Sequence, residues 1–393
     1  MISRKTRILG ALGTSALLVA VTACASGTST TVNDGGTPIV VGVPTSLTGP
    51  LGTYGKMIQE GLKAGLFCST NGTNIVDGHP VSFDVQDDGG DATKALTSAT
   101  GMVGRGENII VGTSSSGISL QIGKFAEEQN VLFISGAAGT DEMTGLNENA
   151  FRSSRQAYQE TAALASVLPN ATGNVVILAQ DYAFGQTYVK TATKILDKAT
   201  VTPVLVPLNA NEFTAYARRV VEAKPDLLIV VYYGDTSAAM WQALVQQKVL
   251  TSTKVATLLV EKKNWPVYGE AAKDITFVSH YFPGASDSEL NKCLTEQAPG
   301  ADLSTHDGFV TAQMVVHAIK TAGPDDVSGM IRALEGWSFE APKGKMAIRA
   351  SDHAMGQDLF LASLDNASGT QSASVKDTIP GDKIAPPENE IRK

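Results

Sequence analysis

Ten short apolar runs, rich in branched residues, recur along the chain at 39–44, 81–86, 109–112, 131–135, 175–179, 202–206, 227–232, 255–260, 275–279 and 359–364. They lack the polar alternation of half-exposed strands, so they predict parallel strands covered on both faces. Between them, apolar residues fall at helical spacing, as in Ile58, Leu62 and Leu66, then Ile118, Ile122 and Phe125, and later Met240, Leu244 and Val245. Strand, helix, strand, repeated, is the pattern of a doubly wound α/β fold. The pattern runs twice, with the polar segment 151–160 between the halves. About 350 residues also exceed one comfortable core, so two lobes are expected.

The N-terminus speaks to compartment. Arg4, Lys5 and Arg7 precede an apolar run over 8–23, the charged and hydrophobic regions of a secretory signal. Glycine, threonine and serine interrupt that run, which is shorter than the roughly 20 apolar residues of a membrane span. Val21-Thr22-Ala23-Cys24 resembles a bacterial lipobox. This predicts a lipoprotein signal peptide over 1–23, lipidation of Cys24 and a flexible Ser/Thr/Gly-rich tether over 24–37. The expected location is extracytoplasmic, on the cell envelope. Without Arg4, Lys5 and Arg7, the 31 basic residues fall to 28 against 39 acidic ones, a net charge near −11. Nucleic acid, which requires a basic footprint, is therefore an unsuitable partner. Cys68 and Cys293 have no metal-ligand spacing; in an oxidising compartment they can form a disulfide or remain two buried thiols.

The motifs of catalysis fail one by one. His79, His280, His306, His317 and His353 never fall at metal-ligand spacing, so no metal or other cofactor is expected. Gly112-Thr113-Ser114-Ser115-Ser116-Gly117 imitates a phosphate-binding loop, but Ile118 stands where the lysine belongs. The same segment lacks the second glycine of a nucleophile elbow. Asp87-Asp88 reads as a solvated pair capping the next helix rather than as a general acid and base.

Several motifs nevertheless occur in a telling order: Ser46-Leu47-Thr48-Gly49-Pro50 with Tyr54-Gly55, Asp87-Asp88, Ile134-Ser135-Gly136-Ala137, Asp181-Tyr182-Ala183-Phe184-Gly185, Gly344-Lys345-Met346 and Asp352-His353. Together they resemble the type I periplasmic binding proteins of the branched-chain amino acid class, which feed ABC importers. The resemblance implies two Rossmann-like lobes joined by three crossings, with lobe 1 over 38–155 and 284–352, lobe 2 over 156–283 and 353–371, and a mobile tail over 372–393. Cys68 and Cys293 would then share lobe 1, where a bond between them leaves hinge motion free. The implied protein is a non-enzymatic, monomeric substrate-binding component that captures a small amphipathic solute, a hydrophobic amino acid first. Its partners would be the permease and ATPase subunits of a transporter. Alternatives within the fold are a ligand-sensing receptor component, or a binder of short amides, urea-like solutes or aromatic carboxylates.

Site residues follow from the same resemblance and from helix physics. The segment from Ser114 to Gly117 ends a buried run and opens a helix from Ile118, whose free amides and positive dipole end would hold a carboxylate; Ser116 matches the family's carboxylate-binding serine, and can also act as a plain N-cap. Ala137 matches a residue whose carbonyl accepts from the ligand's ammonium. Gly139 stands at a position usually threonine, with Thr140 one step later. Phe184 matches an aromatic cover, Thr236 a position often tyrosine, and Glu261 an acid that pairs with an ammonium. Glu261 also has a simpler reading, as part of a solvated Glu261-Lys262-Lys263 loop. Tyr54 and Trp265 are the remaining aromatics expected near the cleft.

Overall fold

A computed structural model describes residues 36–168, 172–259, 261–365 and 371–391. The leader, Cys24 and nearly all of the tether lie outside the described residues.

The first lobe is built from β1 (Ile39–Thr45), α1 (Gly52–Ser69), β2 (Ile75–Val76), β3 (His79–Asp87), α2 (Ala92–Gly104), β4 (Ile109–Gly112), α3 (Ser116–Gln129), β5 (Leu132–Ser135) and β6 (Ala150–Arg152). The sheet order is β2-β3-β1-β4-β5-β6, parallel except for the short β2. Apolar runs become strands here because helices cover both faces: Val41, Val43, Ile110 and Val111 are buried.

After Arg152 the chain enters the second lobe through α4 (Ala157–Val167), β7 (Gly173–Asp181), α5 (Ala183–Ile195), β8 (Ala199–Pro207), α6 (Thr214–Glu222), β9 (Leu227–Val231), α7 (Ser237–Gln246), α8 (Val249–Ser252), β10 (Lys254–Leu258) and β11 (Ile275–Ser279). It then returns to the first lobe as α9 (Glu289–Gln297), α10 (Leu303–Ala322), α11 (Val327–Leu334) and a small sheet of β12 (Ser338–Ala341), β13 (Gly344–Ile348) and β14 (Met355–Gln357). A last crossing leads to β15 (Leu359–Asp365) and β16 (Ser372–Ile379), giving the second sheet the order β16-β15-β11-β10-β9-β7-β8. The two halves are thus doubly wound α/β lobes joined by three crossings.

All ten runs read from sequence fall within or overlap strands. The strands missed, β2, β6, β12 to β14 and β16, are short, edge-placed or polar on one face, so they carry little periodic signal. Two expected boundaries are corrected. Met355 packs in the first lobe's core with Val41 and Ile348, so the final crossing falls at Asp358 and not at residue 353. From Ser372 the chain forms no free tail: β16 pairs antiparallel with β15, and beyond it Arg349 donates to the Pro386 carbonyl while the Asn389 amide donates to Asp352. Arg349 and Asp352 stand 37 positions back from those partners, where no local pattern announces them.

Cys68 on α1 and Cys293 on α9 are joined by a disulfide, with Cα atoms 6.3 Å apart. Both ends lie in the first lobe.

Candidate functional site

In an open parallel sheet, ligands sit beyond the strands' carboxyl ends where the winding reverses. In the first lobe that point lies between β1 and β4, and in the second between β7 and β9. The loops leaving these strands face one another across a narrow cleft. From the first lobe come Tyr54, Ser114, Ser116, Ala137 and Gly139; from the second, Tyr182, Phe184 and Tyr233. Arg155 joins them from the first crossing, and Leu303 and Ser304 from the start of α10.

The cleft is nearly shut. A volume of about 20 Å³ remains among these side chains, room for little more than one water. Bonds between lobes hold it so: the Gly234 amide donates to the Tyr54 hydroxyl at 3.0 Å, Lys263 Nζ donates to Thr53 Oγ1 at 2.8 Å, and the Thr53 hydroxyl donates to Asp235. On the other flank Thr191 donates to Asp141 at 2.6 Å, and the Thr140 and Thr187 hydroxyls meet at 3.0 Å. Leu51, Tyr54 and Leu303 of the first lobe pack into the second lobe's apolar core.

The first-lobe wall is polar and short of partners. Gly112 leaves β4 at φ +107°, where a Cβ would meet the Pro44 carbonyl at 2.9 Å, so glycine lets the strand swing into the cleft loop. Ser115, not Ser116, occupies the N-cap of α3, and its side chain makes no cap bond. Ser116 is the first helical residue, its side chain in the cleft and only 1% exposed. The opening amides of α3 thus point their positive end at the site without a side-chain cap. Ser114 and Ser304, also buried, have hydroxyls with no hydrogen-bond partner.

The second-lobe wall is aromatic. The Phe184 ring lies 5.5 Å from Tyr233 and 6.0 Å from Tyr182, and Tyr54 meets Tyr233 edge-on at 6.2 Å. Such faces suit a flat or branched apolar body. Phe184 presses on Gly139, where a Cβ would stand 2.6 Å from the ring.

Charge enters through Arg155. Its Nε donates to Glu160 at 2.9 Å and its Nη1 to the Ala137 carbonyl at 3.0 Å. Burial pulls the guanidinium pKa down, but the charge of Glu160 lifts it above its ordinary value, so Arg155 stays cationic. Arg152 donates to the Thr140 and Arg155 carbonyls and fixes this segment.

Of the residues singled out from sequence, Tyr54, Ser116, Ala137, Gly139 and Phe184 meet in the cleft. Gly117 follows Ser116 in the first turn of α3. Thr140 lies behind, bonded to Thr187, and the Thr236 hydroxyl pairs with that of Tyr232 at 3.0 Å. Trp265 is buried in the second lobe outside the cleft lining. Glu261 is no solvated loop residue: it is fully buried, accepting from the Gly234 amide at 3.2 Å, Asn264 Nδ2 at 2.9 Å and the Tyr54 hydroxyl. Burial pushes its carboxyl above the usual range against those donors. Ser114 lies in the segment 114–117 expected to meet a carboxylate, whereas Arg155, Tyr182, Tyr233, Leu303 and Ser304 were not foreseen; two arginines within Arg152-Ser153-Ser154-Arg155, at the join between halves, were the available signal.

The acidic pair is corrected as well. Asp91, not Asp87 or Asp88, caps α2. Asp87 accepts from the Leu47 and Thr48 amides and the Thr48 hydroxyl, while Asp88 accepts from Ser46 at 2.6 Å. Together they clamp the loop that leads into α1 and so to Tyr54. Behind the cleft, His280 and His306 flank Asp307 at 3.3 and 3.6 Å, sealed in the hinge. Among the described residues no helix is long and apolar enough to cross a membrane.

Comparison with known proteins agrees with this geometry. A family model described as periplasmic binding protein matches residues 38–371. A Leu/Ile/Val-binding protein homolog 3 of Brucella melitensis biotype 1 is 23% identical over 314 residues, 75% of this chain and 83% of that protein. Among solved structures, an ABC-type branched-chain amino acid transporter protein from Rhodopseudomonas palustris is 26% identical with a TM-score of 0.73, covering 90% of this chain and 100% of the other. A solute binding protein of an ABC transporter from the same species, in complex with p-hydroxybenzoic acid, has a TM-score of 0.80 at 20% identity, covering 88% of this chain and 97% of its own.

Proposed function

The chain belongs to the periplasmic binding protein family, and from that premise we propose that it is the extracytoplasmic substrate-binding component of an ABC importer, capturing a small amphipathic carboxylate between its lobes. The observation that carries this reading is the convergence of both winding reversals on one cleft, with the uncapped start of α3 on one side and aromatic rings on the other. Amides at a helix start hold a carboxylate, the rings cover an apolar body, and closure excludes water. Hinge motion about the three crossings then presents an occupied form to the permease.

Hydrophobic amino acids are one class of candidate solute, in keeping with relatives named for leucine, isoleucine and valine. For an amino acid, Glu261 would have to release an internal donor to meet the ammonium; Glu261→Gln would then weaken binding more than tenfold, about 1.4 kcal/mol. Aromatic carboxylates are a second reading, favoured by the Arg155 guanidinium in the cleft. A thermal-shift panel of both classes tests the proposal, since a solute at about 100 times its Kd adds roughly 2.7 kcal/mol. A panel without any shift would refute carboxylate capture.

The leader pattern supports removal of residues 1–23 and a diacylglycerol anchor on Cys24, with the protein working as a monomer on a tether. Metabolic labelling with a fatty acid should mark the wild type, and Cys24→Ala should abolish the label.

A further inference from the structure

We propose that Arg155 is a specificity-determining residue of the cleft, selecting carboxylates without an α-ammonium over the corresponding amino acids. The inference rests on the carboxylate-capture reading and names the head group that the cleft accepts.

Three observations carry it. The first is where the cation sits. Arg155 lines the cleft from the crossing between lobes, 4% exposed, and its Nη1 donates to the Ala137 carbonyl at 3.0 Å. By the resemblance to the family, that carbonyl is matched to the acceptor of a ligand ammonium. A ligand ammonium hydrogen-bonded to the same oxygen would lie within about 6 Å of Nη1, where like charges repel strongly in a site closed to water.

The second is where the acids are. Among the described residues lining the cleft none is acidic. Glu160 is spent on Arg155 itself, and Glu261 is turned away into a cage of its own donors. An α-ammonium would therefore be desolvated near a guanidinium whose counter-charge, Glu160, is already paired with it, whereas a carboxylate meets the guanidinium's remaining donors and the start of α3 together.

The third is that two buried hydroxyls aimed into the cleft, Ser114 and Ser304, have no partner in the protein. Hydroxyls can donate to a carboxylate's remaining lone pairs, completing a donor-rich cradle of serines, helix amides and guanidinium. The Tyr54, Tyr182, Phe184 and Tyr233 rings leave the rest of the solute an apolar, preferably flat, space.

Matched pairs test this directly: 3-phenylpropanoate against phenylalanine, and 4-methylpentanoate against leucine, each differing only by the amino group, titrated calorimetrically into the full folded chain. The deaminated member of at least one pair should bind ten times tighter or better. Amino acids that bind as well as their partners in both pairs would overturn the role of Arg155 and leave carboxylate capture standing. No binding by any of the four would overturn both. In the variant Arg155→Gln with Glu160→Gln, which removes both charges of the buried pair, the preference should fall below about threefold. An unchanged preference in that variant, shown to be folded by circular dichroism, would also overturn the proposal. Should the variant not fold, the matched pairs on the wild type decide alone.

Discussion

Replacing Gly139 with alanine should impair closure while leaving each lobe intact. The added Cβ would stand 2.6 Å from Phe184 Cε2 and 2.8 Å from Cδ2, where carbon atoms ordinarily rest at about 3.5–4.0 Å. The overlap is thus about 1 Å. Phe184 cannot yield easily, being 3% exposed and packed against Tyr188 and Tyr233. Gly139 belongs to the first lobe and Phe184 to the second, so the overlap is relieved when the lobes part. Overpacking of this size costs about 1–3 kcal/mol, charged to the closed form, and a ligand that binds that form loses affinity by roughly 5- to 150-fold. Titration calorimetry reads the affinity, and small-angle scattering with and without ligand reads the compaction. The unliganded melting temperature should change little, and Phe184→Leu should restore part of the affinity in the double variant. Unchanged affinity would refute the reasoning, as would a loss of unliganded stability large enough to explain the weaker binding.

Three further outcomes follow from the same structure. Cys68→Ser with Cys293→Ser opens a link spanning 225 positions, worth about 5 kcal/mol in the chain-entropy picture; thermal melting should drop by several degrees, while ligand affinity stays within twofold because both ends lie in one lobe. Gly61→Ala would set a Cβ 2.0 Å from the Thr305 carbonyl where α1 crosses α10, and urea unfolding should show a loss of about 3 kcal/mol or more. The Thr48 hydroxyl and neighbouring amides hold Asp87 down to about 2. A carboxyl lowered on folding stabilises above its unfolded value near 4 and loses that contribution as pH falls towards 2. Acid unfolding between pH 4 and 2 should therefore be less steep in Asp87→Asn, and an identical profile would remove Asp87 from the account.

The sequence alone determined the layer architecture. A strand buried on both faces must be apolar along its whole length, so runs such as 109–112 and 227–232 declare themselves without any neighbour, and helices such as α1 show their buried stripe at Ile58, Leu62 and Leu66. It also pointed to cleft residues that follow a strand end, Ser116 through the physics of a helix start and Ala137 and Phe184 through the resemblance to a known family. Only the tertiary structure decided the rest. Arg155 enters the cleft because a crossing segment runs past it, Ser304 because a helix distant in sequence starts beside it, and Glu261 leaves it because Gly234, Asn264 and Tyr54 fold around its carboxylate. Periodicity reports which face of an element is covered. It does not report which charges meet across a cleft, because that depends on how far two lobes, folded separately, have closed upon each other.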